Sequence, residues 1–337
     1  MVKYLLHHEI DKERWDRCIE RSSNGLICAL SWYLDIVSPQ WEAIVVLDGA
    51  EYTLCCPVPV RKKWHVEYIE HPHLCKQLGL FYVKPPEHAV VDEVFRALFT
   101  RYRYIPRLSF NVDNTLIWFS DPRVRIKEHA VYLLSLDISY PDLHKGYHRD
   151  RKYRLKQARS NNLRMVASQD IEPLIEIFER DTASKIPGGV YRRTYPNLRQ
   201  LFKRITSMGK SELYYAYNAD GDCLGGCWFI LYKDTILYMF SGVLATARRE
   251  NVSTLLIDHM IRRYQKTNYT FMFESAHHAG IDGFLKGFGG RITYYPSIYL
   301  NRLPSFWRKL HRAKILTHRK VISWQHPHRP LPIIELP

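Results

Sequence analysis

The sequence predicts an α/β (α+β) protein of two domains, each built on a mixed, mostly antiparallel sheet flanked by helices. The chain has 337 residues, about twice the size of a typical domain. Asp48-Gly49-Ala50 separates two apolar runs, and Asp-Gly between such runs is a strong hairpin signal. In the second half, apolar periodicity predicts the order strand, helix, helix, three strands, helix, strand, helix, strand. Together these observations favour two α/β domains in tandem.

We assign residues 1–130 to the first domain. Its hairpin strands are predicted at Trp41 to Leu47 and Glu51 to Val60. Helices are predicted at Asp11 to Arg21 and at Pro86 to Arg101, the second with apolar residues at i, i+3, i+4 spacing. The polar segment from Ser120 to Ala130, which contains a proline, is interpreted as the junction.

Residues 131–303 are assigned to the second domain, and 304–337 to a basic amphipathic helix with a proline-rich tail. After an opening strand (131–139), a basic helix is predicted at 145–159, where seven of fifteen residues are Lys or Arg. The remaining elements predicted in this domain are a strand at 163–167, helices at 171–181 and 195–208, a three-stranded meander from 212 to 244, a helix at 248–265, a strand at 269–275, a short helix near 281–288 and a strand at 291–300.

Charge and composition narrow the functional class. The net charge of +15 predicts a polyanionic ligand or surface, such as a phosphorylated cofactor, nucleic acid or an acidic membrane face. No apolar run approaches the roughly 20 residues that a membrane-spanning helix needs, and no signal peptide is predicted. Seven cysteines without paired spacing favour the reducing cytoplasm.

The element order of the second half resembles the GNAT (acyl-coenzyme A N-acyltransferase) fold. In that family, a loop of pattern Arg/Gln-x-x-Gly-x-Gly/Ala between the last meander strand and the next helix holds the coenzyme A pyrophosphate. Unpaired amides at a helix N-terminus bind phosphate oxygens in general. Here Asn251 stands at the glycine position, and a side chain there is expected to limit the approach of a pyrophosphate. The corresponding cofactor-binding candidates are Arg248, Arg249, Asn251, Val252 and Ser253, together with Gly242 at the preceding strand end.

The whole chain looks like the FemABX branch, which has two tandem GNAT-like domains. The segment RKYRLKQARSNNLRM and the closing FES…IDGFLKGFGG…TYYP carry this resemblance, which covers about residues 1 to 303. It implies a cytoplasmic bacterial acyltransferase that moves an acyl group from acyl-coenzyme A, such as acetyl-coenzyme A, to a small-molecule or peptidic amine. An aminoacyl-tRNA donor is the enzymatic alternative.

The resemblance also implies where the chemistry takes place. Glu274 is the candidate general base at the end of the strand that follows the donor helix, with His277 close by. Ser241 and Gly242 are placed where family members offer main-chain groups to the acyl carbonyl and pantetheine, and Tyr238, Tyr191 and Arg192 are candidate substrate-binding residues. No metal is expected, because the spacing of Glu274, His277 and His278 matches no zinc motif.

Two alternatives concern the basic helices. The helix at 145–159 is either a solvated face, a phosphate or tRNA contact, or a surface for acidic lipid. The segment from Phe306 to Lys320 is a candidate for peripheral membrane contact. A non-catalytic scaffold that binds lipid or protein remains the alternative to an enzyme, and the missing loop glycine is the feature that supports it.

Overall fold

The computed structural model describes residues 1–63, 66–114, 122–183, 186, 189–274 and 279–304. Within them the chain divides into two compact units. The first comprises Met1–Glu128, Ile186–Val190 and the described residues from Tyr295 onward, and the second comprises His129–Lys185 and Tyr191–Tyr294.

The first unit contains an antiparallel sheet built around the predicted hairpin. Its strand order is β1-β2-β3-β6, and the hairpin turn is confirmed because Asp48 pairs with Glu51 around Gly49, whose φ is +58°. Its elements are β1 (Val2–Leu5), α1 (Lys12–Arg21), α2 (Ser31–Val37), β2 (Glu42–Asp48), β3 (Glu51–Val58), β4 (Val60–Lys63), β5 (Val66–Ile69), β6 (Phe81–Tyr82), α3 (His88–Arg101) and β7 (Tyr104–Ser109).

Helix α2 is absent from the sequence-based prediction. It has seven residues, and its N-cap is Leu30, whose side chain cannot accept a hydrogen bond from the first turn. Helix α1 shows the contrast, because Asp11 caps it by accepting a hydrogen bond from the Arg14 amide at 3.0 Å. A helix without a polar cap leaves little trace in the sequence.

The second unit is a sheet with helices on both faces. Strand β8 (Val124–Ser135) enters it from the first unit, and β14 (Arg291–Asn301) leaves it. Within the unit, the strand order is β8-β13-β12-β11-β10-β9. The remaining elements are α4 (Tyr140–Lys145), α5 (Arg149–Ser160), β9 (Arg164–Ala167), α6 (Glu172–Asp181), α7 (Thr194–Ser207), β10 (Ser211–Tyr217), β11 (Cys223–Tyr232), β12 (Thr235–Val243), α8 (Val252–Arg263), β13 (Thr270–Glu274) and α9 (Ala279–Lys286).

Alternation along the meander gives this sheet two apolar faces. Phe229 packs into the core shared with α8, whereas its neighbour Trp228 contacts Phe202 of α7, with ring centroids 5.4 Å apart. Strands β10, β11 and β12 pair antiparallel as predicted, and β12 pairs with β13 in parallel. A mixed, mostly antiparallel sheet flanked by helices is therefore confirmed.

Three predicted element boundaries are wrong for identifiable reasons. The basic helix predicted at 145–159 begins only at Arg149, because His148 is extended and caps α5, whereas Lys145 is the last residue of the preceding helix α4. The polar segment interpreted as a junction contains the first half of β8, where the four consecutive residues from Arg125 to Glu128 are all exposed. The helix predicted from Arg248 begins only at Val252, because Asn251 is in the left-handed conformation.

Among the described residues, no helix combines the length and the apolar character that crossing a membrane requires. The segment from Phe306 to Lys320 lies outside the described residues.

Candidate active site

Strands β12 and β13 are paired at one end and part at the other. Their parallel pairing covers Thr235 to Leu237 opposite Thr270 to Met272, after which β12 continues to Val243 and β13 to Glu274. Beyond Leu237, β12 therefore borders a gap in the sheet on one side. Such a gap leaves backbone groups of a strand available to a ligand.

A β-bulge sits at the start of this free segment. Trp228 pairs with Phe240 and Phe229 with Tyr238, so Met239 is an extra residue on β12. Tyr238 consequently packs toward Phe229 on the α8 face, with ring centroids 5.7 Å apart. Phe240 packs on the opposite face.

The bulge also sets which faces Ser241 and Gly242 occupy. Ser241 lies on the same face as Tyr238, whose hydroxyl donates a hydrogen bond to Ser241 Oγ at 2.6 Å. Gly242 faces α6, and a Cβ atom there would lie 3.3 Å from both Ile177 and the Phe178 amide nitrogen. The absence of a side chain at Gly242 thus allows α6 to pack closely against β12.

The loop between β12 and α8 is a 3-10 turn (Ala245–Glu250) followed by Asn251. Asn251 has φ of +56° and ψ of 33°, a left-handed conformation that asparagine tolerates better than most residues with a side chain. Its Nδ2 donates to the Arg249 carbonyl at 2.9 Å, and its side chain does not cap α8. Within the described part of the chain, no side chain accepts a hydrogen bond from the amides of Val252 to Thr254.

Helix α5 delivers a buried arginine to the first turn of α8. Arg151 is only 4% exposed, and its Nη1 donates to Thr254 Oγ1 at 2.9 Å. Its guanidinium lies over the Phe284 ring, 4.3 Å from the ring centroid, and is 5.3 Å from the centroid of Phe288. Burial lowers the pKa of Arg151, because desolvation disfavours the charged form.

Arg154 occupies the next turn of α5. Its Nε lies 2.9 and 3.0 Å from the two carboxylate oxygens of Asp150, and its Nη1 lies 3.4 Å from Asn251 Oδ1. Asp150 is also 3.6 Å from Arg151 Nη2. One carboxylate therefore faces two arginines at the positive end of α8.

A buried ion pair fixes the position of α5 relative to α8. Asp258 on α8 accepts hydrogen bonds from Arg159 Nη2 at 2.9 Å, from Tyr140 at 2.8 Å and from Tyr147 at 3.1 Å. Asp258 is nearly fully buried, and Arg159 is partly exposed. Burial raises the pKa of Tyr140 to about 12 and that of Tyr147 further, so both phenols remain hydrogen-bond donors.

These elements enclose a cavity of about 740 Å³ within the second unit. Its charged lining is three arginines and one aspartate, an excess of two positive charges beside a helix N-terminus. A helix N-terminus already carries partial positive charge, so this arrangement favours an anion with more than one negative charge. The residues that line the cavity are Asp150, Arg151, Arg154, Thr182, Ser241, Gly242, Val243, Arg248, Asn251, Val252, Ser253, Thr254, Gly283 and Phe284.

Residues 145–274 match the family model described as Acetyltransferase (GNAT) domain. This segment contains α5, the parted strand, Asn251 and the first turn of α8. This segment has the GNAT fold. The prediction of a GNAT-type acyltransferase is confirmed, without an assignment of its donor or acceptor.

Solved structures with the same fold cover most of the chain at low sequence identity. FemX superposes with a TM-score of 0.62 at 12% identity, over 89% of this chain and 98% of FemX. A tandem GNAT protein from the clavulanic acid biosynthesis pathway gives 0.53 at 10% identity, over 90% and 100% of the two chains. L-PGS from Bacillus licheniformis gives 0.53 at 11% identity, over 92% and 96%. A search of curated protein sequences gave no match.

These likenesses confirm the predicted tandem GNAT-like, FemABX-like fold. They report fold alone, because all three identities are low.

Several residues predicted from the sequence of the GNAT domain come together in the cavity. Arg249 is exposed on the turn and is not part of the lining, and Tyr238 lies behind Ser241. Tyr191 and Arg192 are exposed and lie outside the lining. The predicted residues that line the cavity are Ser241, Gly242, Arg248, Asn251, Val252 and Ser253.

The two acid–base candidates are described less completely. The Glu274 backbone ends β13 opposite Val131 of β8, and its side chain lies outside the described atoms. His277 lies outside the described residues. Among the described residues, no three His, Cys, Asp or Glu side chains cluster as a metal site requires.

Sequence reasoning did not single out Arg151, Arg154, Thr182 or Phe284. The first two belong to the segment interpreted as a basic helix, so a signal for a phosphate contact existed. A signal for the burial of Arg151 was also present, because it stands four residues before Leu155 and seven before Ala158, the other buried residues of α5, and therefore shares their helix face.

Proposed function

We propose that the chain is an N-acyltransferase that moves an acyl group from acyl-coenzyme A to an amine by direct attack. The observation that carries this proposal is the cationic cavity at the uncapped N-terminus of α8, next to the free segment of β12. A phosphorylated donor fits the charge excess, and the gap in the sheet offers backbone groups to its acyl arm.

The donor's phosphates are assigned to the first turn of α8 and to the arginines around it. Amides of Val252 and Ser253 supply hydrogen bonds, and Arg248, Arg154 and Arg151 supply charge. The missing loop glycine is a weaker argument against this mode, because Asn251 adopts the left-handed conformation that a glycine would provide and its side chain is held by the Arg249 carbonyl. The feature that supported a non-catalytic scaffold is weakened in the same way.

The transfer itself needs a base, a positioned carbonyl and two bound reactants. The amine nitrogen bonds to the thioester carbon, the C–S bond breaks, and the thiolate leaves on coenzyme A while the amine gives up a proton. We assign the proton to Glu274, directly or through water, with His277 as a neighbouring group. Arg249, Tyr191 and Arg192 are retained as proposed contacts of the donor or the amine acceptor, whereas Tyr238 is proposed to act on the substrate through Ser241, to which its hydroxyl donates.

Two measurements test the proposal. Thermal unfolding is recorded with and without acetyl-coenzyme A, and the release of free thiol from acetyl-coenzyme A is assayed with a panel of amines. Saturating donor is expected to raise the melting temperature, and at least one amine should release free coenzyme A. Arg199 is an exposed arginine of α7 that pairs with Glu172 at 2.7 Å. Arg199→Ala is expected to keep both responses and is the control for the arginine variants of the cavity. Neither stabilisation nor thiol release with any amine would contradict an acyl-coenzyme A donor.

An aminoacyl-tRNA donor is the second candidate, favoured by the outer face of α5. Arg149 and Lys156 are exposed there beside Tyr153, which is 60% exposed. Neutralising several phosphates makes tRNA affinity fall steeply with salt, whereas a small donor is affected less. Binding of tRNA that weakens by orders of magnitude between about 50 and 200 mM salt, without acetyl-coenzyme A binding, would favour this candidate.

A cytoplasmic location belongs to the same proposal. All seven cysteines are in the thiol form, which fits a reducing compartment.

A further inference from the structure

The hydroxyl groups on the α8 face of β12 form a directed chain that ends at the cavity. Tyr238 donates its hydrogen to Ser241 Oγ at 2.6 Å. Around the Tyr238 oxygen lie the Cys227 thiol, whose Sγ is 3.9 Å away and donates to it, and the Ser253 side chain, which also hydrogen-bonds with it. A phenol has one hydrogen to donate, so the chain runs from the interior toward Ser241.

Tyr238 keeps this direction at every physiological pH. Burial raises the pKa of its phenol well above the ordinary value, so the group stays protonated and remains a donor. The ring cannot turn away easily, because it packs against Phe229 in the apolar core. Ser241 Oγ is therefore held as an acceptor on its inner side.

The hydrogen of Ser241 remains to be placed. A serine hydroxyl donates one hydrogen bond, and within the described part of the chain Ser241 Oγ donates to no protein acceptor. The side chain is half-buried and lines the cavity. The bulge at Met239 is the reason that it does so, because without the extra residue the alternation of β12 would turn Ser241 toward α6.

We propose that Ser241 donates a hydrogen bond to the carbonyl oxygen of the donor's thioester, and that Tyr238 is the residue that positions it. This inference rests on the proposed acyl-coenzyme A donor. The oxygen gains negative charge as the amine nitrogen adds to the carbon, so a donor fixed beforehand stabilises the transition state more than the ground state. Ser241 keeps its proton throughout, and it supplements the backbone groups of the free strand segment.

The test is infrared difference spectroscopy of acetyl-coenzyme A labelled with ¹³C at the carbonyl, bound to wild-type protein and to variants. A hydrogen bond lowers the stretching frequency of the carbonyl. The band should shift down in the wild type, return toward the free value in Ser241→Ala, and broaden toward it in Tyr238→Phe, where Ser241 loses its fixed orientation. Ser207→Ala, at the end of α7, is the matched control and should retain the wild-type band.

Kinetics give a second readout once an amine acceptor is known. We expect Ser241→Ala to lower kcat by roughly 10²-fold, the size of a lost oxyanion donor, with a much smaller change in the KM for acetyl-coenzyme A. An identical carbonyl band in wild type and Ser241→Ala, with donor bound to both, would overturn the inference and leave the proposed donor intact. If acetyl-coenzyme A does not bind the wild type at all, the proposed function is contradicted, and so is this inference, which depends on it.

Discussion

Arg151 Nη1 donates to Thr254 Oγ1 across 2.9 Å, joining α5 to the first turn of α8. The contact places a buried cation at the positive end of a helix, where cations are unfavourable. Stacking on Phe284 holds the guanidinium in that place. A ligand with several negative charges would relieve the resulting repulsion, so this pair of residues is the strongest sign of a phosphorylated donor.

Exchange of Arg151 should therefore weaken donor binding. We expect Arg151→Ala to lower the affinity for acetyl-coenzyme A roughly tenfold or more, the size of a lost charge-assisted hydrogen bond. Arg151→Lys keeps the charge but not the planar stacking, and should lie between wild type and Arg151→Ala. Titration calorimetry measures both, with Arg199→Ala as control, and unchanged affinity in Arg151→Ala would remove Arg151 from the donor site.

Replacement of Asn251 by glycine should have little effect on donor binding, whereas replacement by a β-branched residue should destabilise the protein. Asn251→Gly keeps the left-handed conformation without a steric cost, so donor affinity should stay close to the wild-type value. Asn251→Val should lower the free energy of unfolding by about 1–2 kcal/mol, the cost of a left-handed backbone, and should weaken donor binding as the turn relaxes. Urea unfolding and calorimetry compare the two variants, and a valine variant as stable as the glycine variant would contradict the assigned backbone conformation.

Asp258 should matter more to stability than an exposed ion pair of similar length. Asp258→Asn weakens contacts with Arg159, Tyr140 and Tyr147 inside the protein, and we expect a loss of roughly 1–3 kcal/mol. Glu172→Gln breaks an exposed pair and should cost less than about 1 kcal/mol. The comparison is made by thermal unfolding, and equal shifts in melting temperature for the two variants would contradict the role of Asp258 in fixing α5 on α8.

His71 in the first unit should make stability depend on pH. It is buried, its Nε2 lies 3.0 Å from the Cys75 carbonyl, and its Nδ1 accepts a hydrogen bond from the Ser109 amide at 3.3 Å. Burial, with a smaller contribution from Arg107, lowers its pKa to about 3. Between pH 6.5 and 3 the unfolded chain binds a proton that the folded chain does not, so the free energy of unfolding falls as the pH falls.

The contribution of His71 should amount to roughly 2 kcal/mol between pH 7 and pH 5. Urea unfolding at both pH values measures it in wild type and in His71→Gln, which cannot titrate. The other titrating groups contribute equally to both proteins, so the wild type should lose about 2 kcal/mol more than the variant. Parallel losses would show that His71 is protonated in the folded chain.

Most elements of the second unit were predictable because they carry local signals, whereas the six-residue helix α4 was not predicted. Asp-Gly turns, apolar alternation and i, i+3, i+4 spacing depend on residues close together in the chain. The left-handed conformation of Asn251 was not predicted, since the backbone angle that makes asparagine an adequate substitute for glycine is visible only in the structure. A comparison of residue types alone, asparagine in place of glycine, therefore overstated how far this loop departs from the family pattern.

The features of the site that the sequence did not predict depend on contacts between residues far apart in the chain. Arg151 meets Thr254 across 103 positions, and Arg159 meets Asp258 across 99. The bulge at Met239 arises from pairing with β11 and has no marker in the sequence of β12 itself. Ser241 was selected by resemblance to a family, whereas its hydrogen-bond direction depends on Tyr238 and on the face to which the bulge turns it.

The central claim is that the cavity binds the phosphates of an acyl-coenzyme A donor. Its most direct test compares the affinities of acetyl-coenzyme A and acetyl-pantetheine, which share the thioester arm. Acetyl-pantetheine lacks the phosphates together with the adenosine that they carry, so an arginine variant of the cavity is needed to identify the contribution of the phosphates. We predict that acetyl-coenzyme A binds at least about tenfold more tightly, and that Arg248→Ala reduces this difference. Equal affinities for the two ligands, or no binding of acetyl-coenzyme A, would contradict the claim.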